Sequence, residues 1–378
     1  MAVAIVLVLI VVASLLFNFL NPWWFTPLAS NWGQMDLTLI ITLWISGIVF
    51  VAITLFMAYA VFRYRHQKGR RAAYEPENRK LEWWLIGLTS VGIVIMLIPG
   101  LYVWAEFVNA PKDALSVEVV GQQWQWSFRF PGKDGVLGRT DTRLISAENS
   151  FGLHTGNPFG QDDVLVKSGD LHLPLGKPIK VLLRSKDVVH DFYVPHFRVK
   201  MDAVPGLVSG LWFTPTKTGT FEIACAEYCG VGHHTMRSRV VVEEEGPFQA
   251  WLNEQPTLAQ ALSEGAAETG DPLVKQGRKL AQDQGCLACH SVDGSPGAGP
   301  TWKGLYGKTE TLADGSTAVV DDEYLKESIT NPGATVVKGY DPLMPPYQLS
   351  REDLDALIAY TKALSEKEPR DSGKSSTR

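Results

Sequence analysis

The sequence predicts a multidomain membrane protein: apolar helices first, then an all-β domain, then an all-α domain. Three observations predict it. Apolar residues crowd into the first 105 of 378 positions. Residues 115–243 break into short alternating runs such as LSVEVVG, WQWSFRF, KPIKVLLRS and RSRVVVEEE, the period-2 pattern of half-buried strands. From Pro272 onward the apolar residues recur at helical spacing, in DPLVKQGRKLAQDQGC, YLKESITNP and SREDLDALIAYTKALSEK.

Composition narrows the functional classes. The chain carries 35 basic and 40 acidic residues, a net charge of −5. That balance excludes a generic nucleic-acid binder, which shows a basic patch or a high pI. The four cysteines all fall in Cys225-x3-Cys229 and Cys286-x2-Cys289, so none is left for a disulfide scaffold.

Three apolar stretches, 1–20, about 37–62 and about 83–104, each reach the roughly 20 residues that cross a bilayer as a helix. The loop after the second holds Arg63, Arg65, Lys68, Arg70, Arg71, Arg79 and Lys80, while 21–36 holds no Lys or Arg. The positive-inside rule puts 63–82 in the cytoplasm and everything after about 106 on the outer face, the periplasm in a bacterium. Residues 1–22 read as an extra transmembrane helix, retained rather than cleaved, because no basic n-region or A-x-A-like cleavage site is evident. Trp23, Trp24 and Trp32 read as interfacial anchors. The hairpin thus spans 37–108.

The β-domain is expected over 109–244, with a Gly- and Asp-rich insert at 132–165 read as a long loop. Residues 245–271 read as a short helix followed by a linker, 272–366 as the helical domain and 367–378 as a disordered tail. Ser350 is the expected N-cap of the last helix, with Asp353 as its capping-box partner. His154, His172 and His196 show no ligand spacing and read as surface or packing residues.

The segment CAEYCGVGHHTM brings Cys225, Cys229, His233 and Met236 within twelve positions. Soft sulfur with imidazole suits copper, and two adjacent thiolates can bridge two ions. A second imidazole must come from another loop, and His190 in SKDVVHDFYVP is the natural source. Glu227 is the natural donor of a backbone carbonyl. Zinc rarely uses methionine, and a Cys225–Cys229 disulfide leaves His190, His233 and Met236 without a role. His234 is an alternative to His233, though the spacing favours His233.

GQQWQWSF (121–128), KDVVHDFYVP (186–195), VKMDAVPG (199–206) and CAEYCGVGHHTM (225–236) resemble subunit II of the haem-copper cytochrome c oxidases. The resemblance covers roughly 37–243. It implies a transmembrane hairpin followed by a cupredoxin-like domain. It also implies a dinuclear copper centre held by His190, Cys225, the Glu227 carbonyl, Cys229, His233 and Met236. The Glu227 side chain then faces a magnesium or manganese ion shared with subunit I, and Asp202 lies near the same interface. Trp124 matches the aromatic residue that receives electrons, with Trp126 beside it, and Glu82 the glutamate at the mouth of a proton channel. Plain readings of these two are a core tryptophan and a charge flanking a helix. The sequence departs from the family pattern at Gln125, where Tyr is usual, and at Leu207, where Arg is usual. It also departs in the missing Trp-Thr-x-x-Pro of the hairpin and in the insert at 132–165.

Cys286-Leu-Ala-Cys289-His290 is the attachment signature of c-type haem, with His290 as an iron ligand. Downstream there is no histidine and one methionine, so Met344 is the expected sixth ligand. Residues 272–366 resemble class I cytochrome c, with GAGPTWKGLYGK (297–308) and YDPLMPPY (340–347) as the matching loops. This resemblance implies that Pro300 supports His290 through its backbone.

Together the motifs predict an electron relay. A soluble or membrane-bound cytochrome c, or another respiratory complex, reduces the haem. The electron then passes to the copper pair and on to subunit I, which by resemblance reduces dioxygen with proton pumping, alongside subunit III. The expected location is the bacterial inner membrane, multi-pass. Alternatives are the electron-receiving subunit of a copper-containing nitric oxide reductase and a tethered carrier without an enzyme. Glu82, Asp202 and Glu227 argue against the latter.

Overall fold

The computed structural model describes residues 1–20, 26–71, 77–145, 149, 151–166, 169–267, 271–292, 294 and 298–366. Trp23, Trp24 and the tail 367–378 lie outside the described residues.

Three helices are long and apolar enough to cross a membrane among the described residues: α1 (Ala2–Leu20), α2 (Gly33–Arg63) and α3 (Arg79–Val108). Their large apolar side chains face outward, as lipid-facing helices require. Asn78 caps α3 by accepting from the Leu81 amide, and Glu82 stands exposed in its first turn, at the end joined to the basic loop.

At the opposite end the hairpin is fastened to the β-domain. Trp32 was expected to anchor in the bilayer interface; instead it is 1% exposed and wedged edge-on against Phe107 and Trp212. Its Nε1 donates to the Trp212 carbonyl at 2.8 Å, and Trp212 Nε1 donates to the Glu106 carbonyl at 2.7 Å. A buried indole needs such a partner, and here two tryptophans satisfy each other's elements. Arg198, at φ +58°, pairs with both carboxylate oxygens of Asp36 at 2.6 and 3.1 Å and donates to the Thr26 carbonyl.

The β-domain is a sandwich. One sheet runs β3 (Val164–Val166), β2 (Gln125–Phe130), β1 (Leu115–Gln122), β5 (Ile179–Ser185), β8 (Ser209–Phe213). The other runs β4 (Leu171–Pro174), β10 (Arg237–Glu243), β9 (Gly219–Cys225), β6 (His190–Val194), β7 (Val199–Ala203). Val117, Val119, Phe128, Val181, Phe192 and Ile223 are fully buried between the sheets.

The insert is a packed lobe rather than a long loop. It holds two short 3-10 turns, 142–144 and 158–160, and a Thr140–Leu153 bridge. Phe151 and Leu153 join Val120, Leu165 and Leu258 in a separate apolar cluster. Beneath it lies a buried ionic network: Arg129 pairs with Glu118 and Asp163, and Arg184 pairs with Glu118 at 3.0 Å.

The segment 245–271 also differs from expectation. The expected short helix is present as α4 (Glu245–Glu254); where a linker was expected, a second helix follows, α5 (Leu258–Ala267). Phe248 is 1% exposed against Phe130, and His172 stacks on Trp251 at 4.3 Å. The C-terminal domain packs α6 (Pro272–Asp283) against α8 (Arg351–Glu366), with α7 (Asp322–Thr330) alongside. Gly277 permits this crossing, since a Cβ there would stand 1.9 Å from the Ala356 carbonyl oxygen. Ser350 accepts from the Asp353 amide at 3.1 Å and donates to its carboxylate at 2.8 Å, as expected for the cap. A small hairpin, β11 (Thr309–Thr311) and β12 (Thr317–Val319), adds to the helices.

Candidate copper and haem sites

The sheet register assembles the first site. β6 pairs with β9 so that Phe192 faces Cys225, and continuing this pairing brings His190 level with Glu227. Met236 enters from the other side, just before β10 pairs with β9. Gly121 makes room: a Cβ there would stand 2.9 Å from the His190 ring. His190, Cys225 and Cys229 cluster with ligand atoms within 4.8 Å of one another, all buried.

Around this core, Cys225 Sγ lies 3.8 Å from Cys229 Sγ and 4.0 Å from His190 Nδ1. Cys229 Sγ lies 3.6 Å from His233 Nδ1 and 3.8 Å from Met236 Sδ. The Glu227 carbonyl oxygen is 3.1 Å from Cys225 Sγ. Two thiols, two imidazoles, a thioether and a carbonyl thus converge on one small volume. This soft donor set fits copper. His233, not His234, turns toward the sulfurs; His234 instead lines the second site.

The electrostatics suit a metal that takes thiolates. Burial opposes ionisation of Cys225, but hydrogen bonds from His190 and the Asp191 backbone bring its thiol down to about 6. Burial and the neighbouring Cys225 push Cys229 up to about 12. Asp187 was not singled out from sequence. Its Oδ1 bonds His190 Nε2 at 2.8 Å, which leaves Nδ1 for the sulfurs. Its Oδ2 accepts the Gln123 amide at 2.8 Å. Burial would raise the Asp187 carboxyl, yet these bonds hold it below its ordinary value. The three-residue step from Asp187 to His190 was the available signal.

Asp191 is buried beside exposed Asp202; burial first, then Asp202, raises its carboxyl to about 6. Lys200 Nζ pairs with Asp191 at 2.9 Å, and that bond chiefly, with Asp202 and Glu227 nearby, raises its ammonium. The Glu227 side chain is exposed.

The second site is a cavity lined by Cys286, Cys289, His290 and Met344. The Pro300 carbonyl accepts from His290 Nδ1 at 2.7 Å, leaving Nε2 as the ligating nitrogen. Burial pushes the His290 imidazole down, toward the neutral form that binds iron. Gly299 lies so close to His290 that a Cβ would stand 2.6 Å from its ring, and Trp302 stacks on the imidazole at 5.4 Å. A cradle of this shape, with two thiols, an imidazole and a thioether, fits a covalently held haem.

The two sites share a wall. Trp124, Val231, Gly232, His234 and Thr235 of the β-domain line the haem-type cavity. Trp124 is half-buried and its Nε1 donates to the Cys229 carbonyl at 3.2 Å, whereas Trp126 is a core residue packed on His190 and Phe192.

Comparison with known proteins follows the same division. Residues 115–244 match the family model "Cytochrome C oxidase subunit II, periplasmic domain", and 274–365 match "Cytochrome c". An alternative cytochrome c oxidase subunit 2 of Bradyrhizobium diazoefficiens is 60% identical over 259 residues, which are 68% of this chain and 94% of that protein. The chain belongs to the cytochrome c oxidase subunit 2 family. Cytochrome c oxidase subunit 2 of Alkalihalophilus pseudofirmus is 25% identical over 334 residues, 85% of each chain. The crystal structure of the periplasmic domain of subunit II of cytochrome oxidase from Bradyrhizobium japonicum is 29% identical. It covers 38% of this chain and 95% of its own, with a TM-score of 0.28. This subunit 2 chain therefore joins a copper-type periplasmic domain to a cytochrome c domain. The family implies a dinuclear copper site, and the cytochrome c match implies haem c.

Proposed function

We propose that the chain receives single electrons at its cytochrome c domain and passes them through its copper domain to subunit I of a haem-copper oxidase, which reduces dioxygen to water with proton pumping. The observation that carries this reading is the shared wall: Val231, Gly232, His234 and Thr235 lie between the copper-site donors Cys229 and Met236 and also line the cavity of Cys286, Cys289 and His290. When bound, haem and the copper pair each accept and release one electron at a time. The copper ligands are His190, Cys225, the Glu227 carbonyl, Cys229, His233 and Met236. The haem is held by Cys286 and Cys289, with His290 and Met344 on the iron. Trp124 is the contact on the copper side, because its indole faces the haem cavity and bonds the Cys229 carbonyl.

The donor is a soluble or membrane-bound cytochrome c or another respiratory complex. The hairpin lies in the bacterial inner membrane against subunit I, with subunit III in the same complex. Glu82, exposed at the basic-loop end of α3, stands where a proton channel into subunit I would open. The exposed Glu227 carboxylate, near Asp202 and Lys200, faces a magnesium or manganese ion at the subunit I interface.

Metal analysis and EPR of the detergent-purified chain with its partner subunits test the reading. The expected result is two coppers per covalent haem, with hyperfine splitting from two equivalent copper nuclei. One copper, zinc, or a Cys225–Cys229 disulfide would overturn it. A partner that reduces nitric oxide rather than dioxygen would keep the relay and change the terminal reaction.

A further inference from the structure

The junction between the two domains is held by more than Trp124. The Gln122 amide donates to the Gln282 carbonyl at 3.3 Å, at the end of α6. Gly285, one residue before Cys286, adopts φ +73°, and a Cβ there would lie 3.2 Å from the Gln123 carbonyl oxygen. Glycine at 285 thus serves both the left-handed turn and a close approach of the two backbones. On the copper side a Cβ on Gly232 would stand 2.3 Å from the Trp124 ring, so the copper loop lies flat on that indole.

Thr235 sits at the centre of this junction. It lies between His233 and Met236, in the 3-10 turn that presents both to Cys229. Its hydroxyl donates to the Gly232 carbonyl at 2.8 Å, and its amide donates to the same oxygen at 2.9 Å. Across the domain boundary, Thr235 and Cys289 line the same cavity.

We propose that Thr235 is a positioning residue: through Gly232 it fixes the copper loop and the Trp124 indole against the haem-attachment cavity, and so sets the distance over which the electron crosses between domains. The inference rests on the relay proposed above. One electron leaves the iron, which is oxidised, and reduces the copper pair; no proton or bond changes hands. The hydroxyl acts by holding the turn through Gly232, on the cavity wall that the copper loop shares with Cys289. Valine has the same shape without the hydroxyl, and serine keeps the hydroxyl without the methyl.

The test uses the intact oxidase with both centres loaded. The haem is reduced by a light pulse and the haem-to-copper transfer rate is followed optically. Copper EPR and the haem spectrum are recorded for each variant. Thr235→Val should slow the transfer several-fold with both spectra unchanged, and Thr235→Ser should restore it. Wild-type transfer in Thr235→Val with both centres intact would overturn the inference. So would a slow rate in both variants accompanied by an altered copper spectrum, since Thr235 would then shape the copper site alone. Failure to load copper or haem in the unmutated chain would instead sink the relay itself.

Discussion

Asp187 shows how a residue outside the ligand set can govern it. One carboxylate oxygen holds His190 and the other holds the Gln123 amide, so the imidazole and the Trp124 turn are set by a single side chain. Loss of such an outer partner typically weakens metal binding about 10–100-fold. Asp187→Asn should lower copper affinity by that order, measured by competition with a chelator. The thiols make a second prediction. With Cys225 lowered to about 6, while Cys229 is raised to about 12, Cys286 to about 11 and Cys289 above its ordinary value, Cys225 is the thiol that ionises first as pH rises through about 6 in the metal- and haem-free chain. Ultraviolet thiolate absorbance should show one group ionising near pH 6, and Cys225→Ser should abolish that step. The ligand motifs were readable because each lies on one loop with chemically unambiguous residues. Gln123 and Thr235 were not, because their meaning depends on the tertiary fold: the Gln123 side-chain amide donates to the Cys229 carbonyl at 2.7 Å across the sandwich, and Thr235 reaches the cavity of Cys289 across the domain boundary.

The helices and strands were legible wherever one period dominated. The three apolar helices, the sandwich strands and the Ser350 cap all follow from local pattern. The short helix α4 was legible; α5 was not, because its Gly, Pro, Ala and Glu surroundings resemble a linker, while Leu258 buries with Val120, Phe151, Leu153 and Leu165. The insert escaped for a similar reason: Phe151 and Leu153 are two apolar residues in a Gly- and Asp-rich stretch, and their cluster is completed from β1, β3 and α5. α4 contributes Phe248 to the sandwich core. Phe248→Ala should cost about 3–5 kcal/mol, the usual range for emptying a buried aromatic site. The measurement is the unfolding midpoint of the β-domain in urea, followed by its copper spectrum.

The domains are braced against one another at both ends. Trp32, Trp212 and Phe107 interlock the hairpin with the sandwich, and Arg198 bonds Asp36 in α2 and the Thr26 carbonyl at once. Arg198 holds a left-handed backbone, a conformation that a non-glycine residue keeps only when its surroundings demand it. A charge-assisted bond of this kind contributes about 1.5–3 kcal/mol. Asp36→Asn should leave the copper EPR signal intact while slowing electron delivery to subunit I, read by flash kinetics in the complete oxidase. An unchanged rate would show that the tryptophan interlock alone sets the tilt of the sandwich above the membrane.

The wall that the copper loop lends to the haem cavity also gives biogenesis a direction. Cys289 is only partly accessible, in a cavity that Thr235 also lines, with Gly285 pressed on the Gln123 backbone. A maturation enzyme must reach both attachment thiols and the face of the porphyrin, which the closed junction covers. Haem is therefore expected to be stitched on before the copper loop settles and stiffens around its metal. A chain loaded first with copper should acquire covalent haem more slowly than a copper-free one, and equal rates of attachment would show that the junction opens freely during maturation.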